Sequence, residues 1–190
     1  MEKLLLYCTL GKPNLYLPPE HNCFEGDEAS KCYLKDEPIL EGFDIKLNGK
    51  IAVECDCELV EKIFSDYFDN GVETNAYYYT NGDTDIEESA CLDTNDLALY
   101  LGQKIGGEKV GYAIHLKNVK VFDEPEELSK YGLKKAPQNM CYVYDKDGNK
   151  YLLLSIHPKH LCNIINGDKT IEVRRKILKD LEELIRWLIT

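Results

Sequence analysis

The feature that most constrains the fold lies late in the chain. Two apolar runs, NMCYVYD (139–145) and KYLLLSI (150–156), flank Lys146-Asp147-Gly148-Asn149. Asp-Gly between two such runs signals a β-hairpin, because glycine takes the positive φ that tight turns demand. The chain must therefore build an antiparallel strand pair, and an all-parallel design is out.

The remaining segments follow from periodicity and breakers. KLLLYCT (3–9) sets Leu4, Leu6 and Cys8 against Leu5, Tyr7 and Thr9, with both faces apolar, as in a buried strand. Residues 20–44 read as a long loop with a short strand near Cys32–Leu34. Asn48-Gly49 leads into a strand, Lys50–Cys57. ELVEKIFSDYF (58–68) spaces Leu59, Ile63 and Phe64 as a helix does. Residues 69–86 read as a loop. DTNDLALYLG (93–102) is a helix capped by Asp93 or Thr94 and closed by Gly102. GYAIHLKNVKVF (111–122) is a strand with a bend at Asn118, and EPEELSKYG (124–132) a short helix. HPKHLCNIING (157–167) is a helix, TIEVRR (170–175) a strand, and 176–189 an amphipathic helix. About six strands and several short helices without strand–helix alternation give an α+β class, a small mixed sheet curled into a β-barrel. The chain of 190 residues suits one domain.

No apolar run reaches the length of a membrane span. LLLYCTL near the start reads as a strand without a cleavage site, so the expected setting is the reducing cytoplasm. There cysteines pack or bind metal rather than cross-link. Alternation puts Cys55 and Cys57 with Ile51 and Val53 on one face, opposite Ala52, Glu54 and Asp56. Core packing is the expectation for both thiols. His21, Cys23 and Cys32 match no familiar zinc spacing. Neither a metal nor a cofactor is expected, and no phosphate-binding glycine loop is present.

Charge is uneven. Residues 1–149 hold 15 Lys and Arg against 29 Asp and Glu, while residues 150–190 hold 8 against 5. A net charge of −11 argues against loose coating of nucleic acid but leaves room for a small basic pocket. NGDKTIEVRRK (166–176) concentrates the positive charge. Strand alternation puts Ile171 and Val173 on one face and Glu172 and Arg174 on the other, with Lys169 at the preceding turn. An Arg fork suits phosphate or a base edge, and a carboxylate beside a Lys can move a proton. The same triplet also serves as a purely structural ion pair.

LLLSIHPKHLCNIINGDKTIEVRRK resembles the opening of an ASCH domain, a branch of the PUA-like fold. Such domains begin Ser-Ile-x-Pro, here Ser155, Ile156 and Pro158, and continue Gly-x-Lys-x-x-Glu-x-Arg, here Gly167, Lys169, Glu172 and Arg174. KLLLYCTLGKP, NGKIAVECDC, ACLDTNDLALYLG, GYAIHLKNVKVFDEPEELS and KKAPQNMCYVYD are similar to blocks that follow this opening in phage-type members from Gram-positive bacteria. Here residues 1–145 hold the later blocks, 150–176 the opening, and 177–190 a final helix. That order looks like a circular permutation of one domain, joined at Asp147-Gly148. A truncated second domain, or a domain-swapped homodimer completed by a neighbour's strands, are the alternatives.

The resemblance implies a cleft for single-stranded RNA or a modified nucleotide, with Lys169, Glu172, Arg174, Ser155, Tyr7 and Thr9 as ligand-binding candidates. It also implies a hydrolase alternative with Lys169 and Glu172 as catalytic candidates. Members that deacylate cytidine carry a Thr nucleophile where this chain has Glu172, and Glu54 is the nearest match to their acidic partner. His157 precedes Pro158 and orients the helix start or acts as a base. A prophage-type protein-interaction module is the remaining alternative.

Overall fold

The computed structural model describes residues 2–9, 45–69, 74–104 and 106–181. Seven strands form one mixed sheet: β1 (Glu2–Cys8), β2 (Ile51–Asp69), β3 (Thr74–Tyr79), β4 (Glu108–Glu126), β5 (Met140–Tyr144), β6 (Lys150–Ile156) and β7 (Ile171–Arg174). Three α-helices accompany them among the described residues: α1 (Ile86–Ala90), α2 (Thr94–Leu101) and α3 (Pro158–Asn166). The spatial order is β5-β6-β1-β2-β4-β7, with β3 attached to β2 beyond the end of β1. No helix among the described residues is long and apolar enough to cross a membrane.

The hairpin forms as its turn dictates. Tyr144 opposes Lys150 and Met140 opposes Leu154. Gly148 sits at φ 83°, the left-handed region. Asp145 ties the turn: its Oδ1 accepts from the amides of Asp147 at 2.9 Å and Asn149 at 2.8 Å. The Asn149 side chain above all holds this carboxyl below its usual range.

β1 is the hinge of the design. It runs parallel to β6 and antiparallel to β2. Leu4, Leu6 and Cys8 enter one core with Val53, Cys55, Cys57, Leu152 and Leu161. Leu5 and Tyr7 enter another with Ile51, Val143 and Leu153. A strand buried on both faces is apolar throughout rather than alternating. Cys55 and Cys57 pack in the first of these cores, and burial pushes the Cys55 thiol up to about 12.

The sheet is open, which corrects the expected PUA-like barrel. Among the described residues β5 and β7 are its two ends, and no backbone ladder joins them. Side chains span the gap instead. Arg174 on β7 donates to Asn139 Oδ1 at 3.0 Å and to the Ser155 carbonyl at 2.7 Å. Asn139 Nδ2 donates to the Lys176 carbonyl at 3.0 Å. A ladder would need the backbones about 4.8 Å apart, and an arginine side chain now fills that space.

Residues 58–68 are strand, not helix. β2 continues to Asp69 and pairs with β4 and β3. Its register shifts between Cys57 and Val60. The irregularity re-phases the apolar side chains, so that Cys57, Val60 and Ile63 are buried at three-residue spacing, which imitates a helix. The stretch read as a loop over 69–86 contains β3, and α1 begins at its end. β4 runs through Pro125 to Glu126, and only a 3-10 turn (Leu128–Tyr131) remains of the helix expected over 124–132. The bend at Asn118 is present: its φ is 51°, and its amide donates to Asp56 Oδ2 at 2.7 Å. His21, Cys23, Cys32 and the loop and strand expected around them lie outside the described residues. Of the C-terminal helix, residues 179–181 are helical and the rest lies outside.

Candidate functional site

The segment from α3 to β7 places the charged side chains. His157 caps α3, its Nδ1 accepting from the Lys159 amide at 3.3 Å, and Pro158 follows in the first turn. Gly167 ends the helix at φ 84°, a conformation that favours glycine. The chain then turns so that the Lys169 and Thr170 amides donate to the carbonyls of Asn163 and Ser89. This fixes Lys169 beneath α1, where its Nζ donates to the Ala90 carbonyl at 2.9 Å. β7 pairs with β4, Arg174 opposite Tyr112 and Glu172 opposite Ile114. Ile171 and Val173 enter the core under α1 and α2. Glu172 and Arg174 take the other face, as alternation requires.

Lys169, Glu172 and Arg174 are all buried, at 2 %, 6 % and 7 % exposure. Glu172 sits between the cations: Oε2 is 3.3 Å from Lys169 Nζ, and Oε1 is 3.0 Å from Arg174 Nη2. Burial pulls the Glu172 carboxyl up, but the charges of Lys169 and then Arg174 outweigh it and hold it below the ordinary range. His160, one turn along α3, is pushed down to about 4, chiefly by burial and then by Lys169. It is neutral at physiological pH. Burial, with Lys159, also lowers His157.

These groups line a cavity of about 380 Å³, within the range of small-ligand sites, about 300–1,000 Å³. Thr9, Ser155, Lys169, Glu172, Arg174 and His157 all reach it. Tyr7 does not line it. It points to the opposite side of β1, among Leu5, Ile51 and Val143. Glu54 also lies elsewhere, 3.5 Å from Lys3. The structure adds His160, Asp96, Tyr100, Leu92 and Gln138 to the lining. Asp96 and Tyr100 share one side of α2 at a spacing of four, a pattern open to reading in the sequence. Gln138 precedes β5 and carries no such signal.

The arginine fork is not free to grip a phosphate. Its terminal nitrogens already serve Asn139, Ser155 and Glu172. Ser155 Oγ donates to the Pro137 carbonyl at 2.6 Å. The two cations are partly offset by Glu172 and by Asp96 at the wall. What remains is a set of unmatched atoms. Among the described residues, five buried side-chain N or O atoms have no hydrogen-bond partner. Three of them, His160 Nδ1, Glu172 Oε2 and Arg174 Nε, belong to residues lining this cavity. Such atoms are costly to bury, about 1–3 kcal/mol each, and rarely cluster without a use. They offer one acceptor, one donor and an imidazole nitrogen whose role depends on its tautomer.

No family model, curated protein or solved structure matches the chain. The functional reading therefore rests on the residues and their geometry.

Proposed function

We propose that this cavity binds one nucleobase, of a modified nucleotide or of a single-stranded RNA. The carrying observation is that Glu172, Arg174 and His160 all line one small cavity, while Arg174 Nε and His160 Nδ1 are buried without a hydrogen-bond partner. A base presents a donor beside an acceptor on one edge, which complements a carboxylate oxygen beside an N–H. The Tyr100 ring and the side chains of Leu92 and Val173 supply apolar wall for a flat group. A phosphate would bring acceptors alone. It would meet the Glu172 and Asp96 carboxylates and an arginine whose terminal donors are already engaged.

The same geometry favours binding over hydrolysis. A carboxyl held below its ordinary range is a weak base at neutral pH. Lys169 Nζ is already engaged with the Ala90 carbonyl and Glu172.

The test is equilibrium binding of a panel of plain and modified nucleosides, their 5′-monophosphates and inorganic phosphate. A nucleoside and its monophosphate should bind within a few-fold of each other, and phosphate should not compete. His160→Ala leaves the ion triad intact and should weaken binding by about 2–12-fold, the worth of one hydrogen bond. Competition by inorganic phosphate, or no binding by any nucleoside, would overturn the reading.

A further inference from the structure

Away from the cavity, β2, β3 and the start of β4 extend past the end of β1 as a three-stranded ribbon. One face of this ribbon packs on α1 and α2 through Ile63, Tyr78, Val110 and Leu97. The opposite face carries a row of rings. Phe64 opposes Tyr79, and Asp66 opposes Tyr77. Phe64 and Tyr79 stack with centroids 5.6 Å apart and planes 26° apart. Tyr77 continues the row at 5.7 Å from Tyr79. On the other side Lys109 opposes Phe64 and lies 4.4 Å over the Tyr112 ring.

A cross-strand ring pair stabilises a ribbon without further use. The third ring is different, because Tyr77, tilted 30° to Tyr79, is 44 % exposed. Charge on this face also favours an anion. Lys62 and Lys109 stand on it. Its acid, Asp66, already accepts from the Tyr67 amide at 2.8 Å and the Gly106 amide at 3.3 Å. The neighbouring Glu108 is paired with Lys104 at 3.0 Å. An open aromatic row beside lysines suits a partner that alternates flat rings with negative charges.

We propose that the ribbon face of Phe64, Tyr77 and Tyr79 is a stacking surface for the unpaired bases of single-stranded nucleic acid. One base continues the stack on Tyr77, and the adjoining phosphates lie toward Lys62 and Lys109. Stacking of this kind tolerates any base and depends on salt through the phosphates. The surface is separate from the cavity and does not depend on its reading.

The experiment titrates a fluorescein-labelled oligouridine against the full chain at low and moderate salt. Wild type should bind, more weakly as salt rises. Tyr77→Ala should lose roughly 5- to 150-fold, the range for one stacked base. Tyr77→Phe keeps the ring and should retain binding. Tyr144→Ala removes a 57 % exposed tyrosine outside the row and should change nothing. Equal affinity of Tyr77→Ala and wild type would overturn the proposal, as would an equal loss in Tyr144→Ala. So would failure of wild type to bind while sedimentation shows a dimer that Tyr77→Ala dissociates, which would assign the face to a second copy. Nucleoside binding reports the cavity separately: if His160→Ala spares it while Tyr77→Ala still loses the oligonucleotide, only the cavity reading fails.

Discussion

A half-buried and a buried carboxylate, on the two strands that flank β4, make the most instructive comparison in the molecule. Glu61 lies on β2 opposite Ala113, and Glu172 on β7 opposite the adjacent Ile114. Both are held below the ordinary carboxylate range, but by different means. For Glu61, burial is outweighed by hydrogen bonds from Thr84, His115 and Thr80. Its Oε1 accepts from the Gly82 amide at 3.1 Å, and its Oε2 from Thr84 Oγ1 at 2.8 Å and His115 Nε2 at 2.7 Å. For Glu172, burial is outweighed by the charges of Lys169 and Arg174, one beside each oxygen. The first carboxylate is finished by its own loop. The second is neutralised by two buried cations.

The comparison is tested most severely by deletion. Glu172→Ala leaves Lys169 and Arg174 buried without their anion. Breaking a buried pair in this way costs about 3–5 kcal/mol, measurable by urea denaturation. Glu61→Ala strands neutral donors and a histidine, and should cost less, about 1–3 kcal/mol. It should also raise hydrogen exchange around residues 80–84 without spreading to β7. A larger loss at Glu61 than at Glu172 would reverse the assignment of roles.

Acid separates the two regions next. His160, beside Glu172, has a folded value of about 4, against about 6.5 in an unfolded chain. Above pH 6.5 it is neutral in both states. As pH falls from 6.5 toward 4, only the unfolded chain takes up the proton, so the native state loses stability. Glu172 and Glu61 act lower. Their folded values are depressed, so their stabilisation is present above the unfolded value of about 4.3. It is lost as pH falls through the folded values. His160→Gln should therefore flatten the stability profile between about pH 6.5 and 5, above the range where carboxylates titrate, while Glu61→Gln should leave that part of the slope alone. Denaturation midpoints across this range decide it.

How legible these regions were differs for a physical reason. β7 was readable because its apolar and charged residues alternate cleanly, so Glu172 and Arg174 share a face as Ile171 and Val173 do. The hairpin was readable because Gly148 has one good use. The surroundings of Glu61 were hidden, because the shift between Cys57 and Val60 makes a strand imitate a helix. That error also concealed β3, which has no partner if 58–68 is helical. Openness of the sheet was equally illegible. Whether β5 and β7 join depends on what Arg174 reaches across the gap, and no local pattern encodes that. In the cavity, charge was visible but its cancellation was not. The sequence offers Glu172 as an ion-pair partner for Arg174 and Lys169, but Asn139, Ser155 and Ala90, all distant in the chain, also take up their donors.

The finest distinction concerns a single hydroxyl. Thr84 Oγ1 is one of the donors on Glu61, at 2.8 Å. Thr84→Val keeps the shape of the side chain and removes that one hydrogen bond, leaving the Gly82 amide and His115 in place. The cost should be that of one hydrogen bond, about 0.5–1.5 kcal/mol. It should come out below the full deletion of Glu61, because the remaining donors still hold the carboxylate. Nucleoside affinity should not change, since Glu61 and Thr84 do not line the cavity of Glu172. The measurement pairs a denaturation curve with a nucleoside titration on the same variant. A fall in affinity with little loss of stability would show that the two carboxylates communicate through β4, and the division between the two sites would have to be redrawn.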